Sequence, residues 1–287
     1  MTIQFRAAAV QAEPAWLDLA AGVAQTLSYI EDAAAVGANL IAFPDAFVPG
    51  YPWWLWHSAV DWDGDFRARY LANAMSADGP ELRAIADAAR WAHTWVVLGF
   101  AERAGQALYL AHAVISPAGI VRVSRKPSPT HLEREVFDDG VGLPPVVDTE
   151  LGRIGVLGGA DHLCPDRRAD LWREQVHVAA FSGFTEYHEV SDDIVVAVNA
   201  SVSAQYARDA GVAVIASAAV APLGGWSVRD RRSPGFVRLR GGGDVARILS
   251  SEGNDLVPPL KSGESGLLVA DVVVAESADP WMDWAAG

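Results

Sequence analysis

The chain has 287 residues, 51% of them hydrophobic, and a formal net charge of −14. That apolar content supports a large buried core and excludes a disordered chain. The acidic balance excludes a nucleic-acid binder or a protein held to an anionic membrane, because both need clustered Lys and Arg. No apolar run reaches the ~18–20 residues of a membrane span. The start, Met1-Thr2-Ile3-Gln4-Phe5-Arg6, lacks the pattern of a signal peptide, so a cytoplasmic protein is expected. The lone cysteine, Cys164, excludes an internal disulfide framework and a Cys-rich zinc site.

In chain order, Phe5 to Val10 reads as a strand and Leu17 to Ala35 as a helix, with Leu17, Ala20, Ala24, Leu27 and Ile30 near a 3.6-residue period. Asn39 to Phe43 is a buried-type strand stopped by Pro44. Pro80 to His93 is a helix with proline in its first turn. Trp95 to Phe100, Ala107 to Ile115 and Ile120 to Ser124 are strands, the last two joined through Ser116-Pro117-Ala118-Gly119. Arg153 to Leu157 and Gln175 to Phe181 are strands around a short helix. Ile194 to Ala210 is helical, Val212 to Ala218 a strand, and Gly235 to Leu239 and Gly266 to Val274 are late strands. Strands alternating with helices and broken by hairpins predict one α/β domain over residues 1–287 with a mixed sheet. The connections Val48 to Asp65 and Lys126 to Pro145 are long, and long loops often carry sites.

Three stretches carry chemistry. In Ala42 to Trp56 a strand ends at Pro44 and delivers Asp45 at its C-terminal edge, where open α/β sheets bind ligands. Asp45 there is either a turn cap or a site carboxylate. Trp53, Trp54, Trp56 and Trp62 follow, and such a cluster either lines a pocket or packs a core. In Val123 to Gly140, Lys126 ends a strand and is stiffened by Pro127 and Pro129, with Glu133 beyond Thr130. In Gly155 to Asp166 an apolar strand runs into Gly158-Gly159-Ala160-Asp161-His162, with Cys164 before Pro165.

Together these stretches resemble the nitrilase superfamily of carbon–nitrogen hydrolases, and its nitrilase branch in particular. The matching segments are Phe43-Pro44-Asp45-Ala46-Phe47 with Pro49-Gly50-Tyr51-Pro52, then Arg125-Lys126-Pro127-Ser128-Pro129-Thr130 with Glu133-Arg134, then Gly159-Ala160-Asp161-His162 with Pro165. The resemblance implies a four-layer αββα sandwich that assembles into a homo-oligomer, a dimer or larger, through its faces. It also implies a site with a carboxylate base, a lysine and a second glutamate, which fall on Asp45, Lys126 and Glu133. Tyr51, Trp53, Trp54, Gly159, Ala160, Asp161 and His162 are the matching pocket positions.

Four positions depart from the family pattern: Ala160 stands for a tryptophan and Asp161 for a glutamate, and the other two bear on the chemistry. The base is Asp45 instead of Glu, one methylene shorter. The cysteine that attacks the nitrile or amide carbon falls on Gly159, which has no side chain. Cys164 lies five residues further on, and a small buried hydrophobe is its expected role. His162 serves either as acid or base or as support. The seven histidines form no metal-ligand pattern, and no metal or other cofactor is expected. Gly241-Gly242-Gly243 matches no phosphate loop and reads as a surface loop. The expectation is an enzyme that has lost the thiol and works on a small nitrogen-containing substrate through Asp45, Lys126 and Glu133. The alternatives are an inactive homologue that binds a ligand or partner subunit, and a carbon–nitrogen hydrolase with an unusual nucleophile.

Overall fold

The computed structural model describes residues 2–57, 65–142, 144, 146–171, 173–183, 192–221, 227–229, 235–238 and 242–275. In chain order the elements are β1 (Thr2–Ala12), α1 (Leu19–Ala35), β2 (Leu40–Ala42), α2 (Phe66–Asn73), α3 (Pro80–Ala92), β3 (Trp95–Ala104), β4 (Ala107–Ser116) and β5 (Gly119–Arg125). They continue with β6 (Val146–Thr149), β7 (Gly152–Gly158), α4 (Gly159–Leu163), α5 (Pro165–Ala169), β8 (Val176–Phe181) and α6 (Asp192–Ala210). The last are β9 (Ala213–Ala219), β10 (Ser227–Arg229), β11 (Phe236–Arg238), β12 (Arg247–Leu249) and β13 (Gly266–Ala275).

Hydrogen bonding runs through the order β5-β4-β3-β2-β1-β9-β8-β7-β6, with β13 on β1 and β12 on β9. The contact between β1 and β9 is confined to Gln11↔Ala218 and Ala12↔Ala219, whereas β1 pairs with β13 from Thr2 to Gln11. Two sheets therefore meet at one corner and face each other elsewhere. Residue parity shows it. Phe5, Ala7 and Ala9 of β1 share a core with Ile154, Val156, Val176, Val178 and Ile215 of the opposite sheet. Ala8 and Val10 turn the other way, into a cluster with Ile30 of α1 and Ile85 of α3. On the far side Ala179, Phe181, Val214 and Ala216 pack with Ala207 of α6. The layers are thus helix, sheet, sheet, helix: the expected αββα sandwich. Both faces of each sheet are covered, which is why the strands read as unbroken apolar runs.

The main strands and helices lie where the periodicity predicts, some longer by a few residues. Four short elements were not predicted, namely α2, β6, β10 and β12. They are too short, or too mixed in polarity, to show a period. The late strand at 235–239 is narrower, Phe236–Arg238, and pairs with β10. Gly242 and Gly243 correct the surface-loop expectation. They are buried, and a Cβ on Gly243 would lie 2.7 Å from the Ala219 carbonyl oxygen. Trp62 and Gly241 lie outside the described residues.

Two glycines let the chain cross over the sheet edge at the site. A Cβ on Gly99 would strike the Pro44 carbonyl oxygen and come 2.7 Å from the Asp45 Cα. The segment lies flat on β3 because Phe43 N donates to Val97 O and Phe47 N to Gly99 O, each at 2.8 Å. A Cβ on Gly158 would sit 2.5 Å from Asp45 Oδ2. Gly99→Ala must displace backbone, so a loss of about 1–3 kcal/mol is expected from overpacking. Gly22→Ala in α1, where the new methyl meets only Val48 side-chain atoms at 3.4 Å or more, is the control. Urea unfolding of both variants checks this, and equal stabilities would show that the Gly99 contact is soft.

Candidate active site

The C-terminal ends of β2, β5, β7 and β8 converge at one sheet edge. There they border a cavity of about 300 Å³ lined by Asp45, Tyr51, Trp56, Thr130, His131, Leu132, Glu133, Gly159, Ala160, Leu163, Phe181, Ser182, Gly183, Val195, Asn199 and Asp244. Its size suits a small molecule.

Lys126 is held by its backbone as well as by its flanking prolines. Its N–H donates to Leu110 O at 2.7 Å, and its carbonyl accepts from Gly140 N at 2.9 Å. Its ammonium, buried, lies 2.8 Å from Glu133 Oε2 and 3.9 Å from Asp161 Oδ1. Glu133 opens a short 3-10 turn, Glu133–Glu135. The same Oε2 accepts from Thr130 N at 2.7 Å, and Oε1 accepts from the Tyr51 hydroxyl at 2.9 Å. Thr130 Oγ1 in turn faces Glu133 N at 3.4 Å. This is a capping box, a signal present in Thr130-His131-Leu132-Glu133 that explains how Glu133 is aimed.

Burial works against charge on Lys126, but Glu133, Asp161 and Asp45 outweigh it and hold its pKa above the usual lysine value. The ammonium therefore persists through neutral pH. Burial also raises the Asp161 carboxyl, opposed by Lys126 and Arg167. Burial and then the Glu133 charge push the Tyr51 phenol well up, so Tyr51 acts as a hydrogen-bond donor and not as a base.

Asp45 is buried, with Oδ1 3.3 Å from His112 Nε2. Neither atom makes a directed hydrogen bond: the separation brings them within reach, and the angles leave the contact unaligned. Gly159 follows β7 directly and lines the cavity. A Cβ there would be 3.0 Å from Phe181 Cδ1. Cys164 is half-buried at the end of α4 and is not among the lining residues.

Of the pocket positions taken from the resemblance, Tyr51, Gly159 and Ala160 line the cavity, together with Asp45 and Glu133. Lys126 and Asp161 stand behind that lining. Trp53 is fully buried and anchors Ser182 O through its indole N–H at 3.1 Å. Trp54 packs against Trp16, Phe66 and Tyr70. These two tryptophans support the wall and do not line it.

His162 is fully buried behind the floor. Its Nδ1 lies 2.9 Å from His177 Nε2 and its Nε2 3.0 Å from Ser203 Oγ, while His177 Nδ1 faces Glu174 Oε1 at 3.1 Å. With Glu174 as terminal acceptor, one order of donors runs Ser203 to His162 to His177 to Glu174. Burial, then His177 and Arg168, hold the His162 pKa well below the usual value. The chain ties α4 to α6, and both carry cavity residues.

Sequence reasoning missed His131, Leu163, Phe181, Ser182, Asn199 and Asp244, all on the lining. Asn199 donates to the Asp244 carboxylate, which also accepts from Val245 N at 2.8 Å. Only the fold brings α6 and the segment before β12 to this edge. Among the described residues no group of three His, Cys, Asp or Glu side chains is placed to hold a metal. No helix among them is long and apolar enough to cross a membrane.

The sandwich agrees with the comparisons. A profile of the family Carbon-nitrogen hydrolase matches residues 6–278, and the chain belongs to that family. It is 37% identical over 269 residues to a nitrilase of Pseudomonas syringae pv. syringae, covering 92% of this chain and 80% of that protein. It is 35% identical to an arylacetonitrilase of Aspergillus niger, covering 95% and 84%. A cyanide hydratase of Stereum hirsutum is 34% identical, covering 96% and 76%. Among solved structures, an amidase from Nesterenkonia sp. superposes with a TM-score of 0.67 at 16% identity, covering 93% of this chain and 89% of that one.

Two outcomes follow from the site's buried charges. Lys126→Met strands Glu133, and urea unfolding should show a loss of about 3–5 kcal/mol, partly recovered in Lys126→Met/Glu133→Leu; a loss below about 1 kcal/mol would count against a charged pair. His162 stays neutral in the native state but protonates when unfolded below the usual histidine value of about 6.5. The unfolded state then binds more protons, so the His162 contribution is complete above that pH and shrinks below it. The melting temperature should therefore fall more steeply from about pH 7 to pH 5 in the native protein than in His162→Gln. Parallel slopes would show that His162 is not held neutral.

Proposed function

We propose that this chain is a nitrilase-fold enzyme that runs acid–base chemistry on a small nitrogen-containing substrate without a cysteine nucleophile. One observation carries the reading. Asp45 and Glu133 line the cavity with Lys126 ion-paired behind them, while the wall at Gly159 offers only backbone and the lone cysteine is not on the lining. The charged half of the family's machinery is present, and the position that the resemblance assigns to the thiol is bare.

A carboxylate and an ammonium at one site move protons and stabilise charge without a covalent intermediate. Asp45 takes a proton from water or from the substrate. Lys126, charged throughout neutral pH, steadies the negative charge that develops as the bond order at carbon and nitrogen changes. Glu133 keeps Lys126 in place and joins it to Tyr51. The reactions that fit are hydration, elimination, cyclisation or tautomerisation at a carbon–nitrogen group. That relatives are named nitrilase, arylacetonitrilase and cyanide hydratase supports nitriles and their products as the first substrates to try.

The test is turnover against a panel of nitriles, amides and imines. Cys164→Ser and iodoacetamide treatment should leave activity unchanged. Asp45→Asn should lower kcat/KM by about 10²–10⁴-fold, the usual worth of a positioned general base. Loss of activity in Cys164→Ser would restore a thiol mechanism. Saturable binding of panel compounds with no turnover would make the chain a binding protein.

A further inference from the structure

We propose that His112 is the positioning partner of Asp45, donating from Nε2 to Oδ1 and fixing the orientation of the carboxylate. This rests on the acid–base reading of the cavity and adds a residue to it. His112 lies on β4, opposite Gly99 of β3 and Ser124 of β5. Gly99 is the residue over which the Asp45 backbone crosses, so the side chain of Asp45 descends beside the imidazole. Asp45 Oδ1 and His112 Nε2 then stand 3.3 Å apart, with side chains 4% and 8% exposed. Both atoms are buried and neither has any other hydrogen-bond partner.

Two buried polar atoms left facing each other are costly unless they engage. Catalytic hydrogen bonds of this kind are often long and poorly aligned until substrate fills the site. A carboxylate can only accept, so the imidazole must donate, and Nε2 carries the proton. Nδ1 is then the basic atom. Oδ2, at the Gly158 face, remains to take a proton from water or substrate.

His112 also lines a second, smaller cleft of about 20 Å³, room for about one water. The titratable and charged groups around it there are Arg125 of β5, Lys126 just after it and Asp161 of α4, with Asp45 on the cavity side. Arg125 is engaged elsewhere, 2.7 and 2.6 Å from the two oxygens of Glu102.

Nitrogen-15 spectra of histidine-labelled protein test the pair without a substrate. A protonated Nε2 on His112 in the native protein near neutral pH, altered in Asp45→Asn, is expected. An Nδ1–H tautomer indifferent to Asp45→Asn would overturn the proposal. Kinetics test its consequence. His112→Leu, losing the donor, should lower kcat by about 10²-fold, the scale of a misplaced catalytic group, with KM little changed. His112→Gln keeps a donor and should restore most of that kcat. Full activity in His112→Leu, or a His112→Gln variant as impaired as His112→Leu, would overturn it. The Asp45-dependent Nε2–H in a protein that turns over nothing would uphold the pair and remove the acid–base reading instead.

Discussion

The site depends on one buried ion pair. Lys126 and Glu133 meet at 2.8 Å with both side chains 3% exposed. Neither charge is tolerable there alone, because burial strips each of its water. Each therefore fixes the other, and through them the chain from β5 to the 3-10 turn is closed into a rigid loop. The hydrogen bonds from Thr130 N and the Tyr51 hydroxyl occupy further acceptor sites of the carboxylate on both of its oxygens. They also tie the loop to the aromatic segment after Asp45. The positive charge is thereby held beside the cavity without projecting into it.

Around that pair the fold supplies walls of different character. The floor after β7 is glycine and alanine, backed by the buried Glu174–His177–His162–Ser203 chain. The direction of that chain is set by the single carboxylate at its end. It fastens α4 to α6. The wall after β2 is shaped by glycine, since Gly99 and Gly158 leave the space that Asp45 occupies. Polar groups thus define one side of the site and the absence of side chains defines the other. On the polar side Asp45 Oδ1 and His112 Nε2 stand 3.3 Å apart.

Much of this was readable in the chain. The α/β order and the main strands and helices follow from apolar periodicity, and the grouping of Asp45, Lys126 and Glu133 was expected from the resemblance of their motifs to the nitrilase superfamily. The capping box at Thr130 was equally readable and aims Glu133 directly. The tryptophans were ambiguous because a large apolar ring serves as well behind a wall as on it. Trp53 and Trp54 proved to be behind it. His162 was ambiguous for the same kind of reason, since an imidazole's role depends on what stands on both of its nitrogens.

What the sequence by itself determined is therefore local. It set the periods that bury both faces of each sheet, the turn that points Glu133, and the lack of any side chain at Gly159. What only the tertiary structure decided is which distant residues share a space. His112 on β4 meets Asp45 after β2, His162 meets His177 and Ser203, and Asn199 meets Asp244 at the far end of the cavity. No period or spacing encodes those meetings. They arise where strands from two sheets end together, and burial then forces each polar group to accept whatever partner the packing brings.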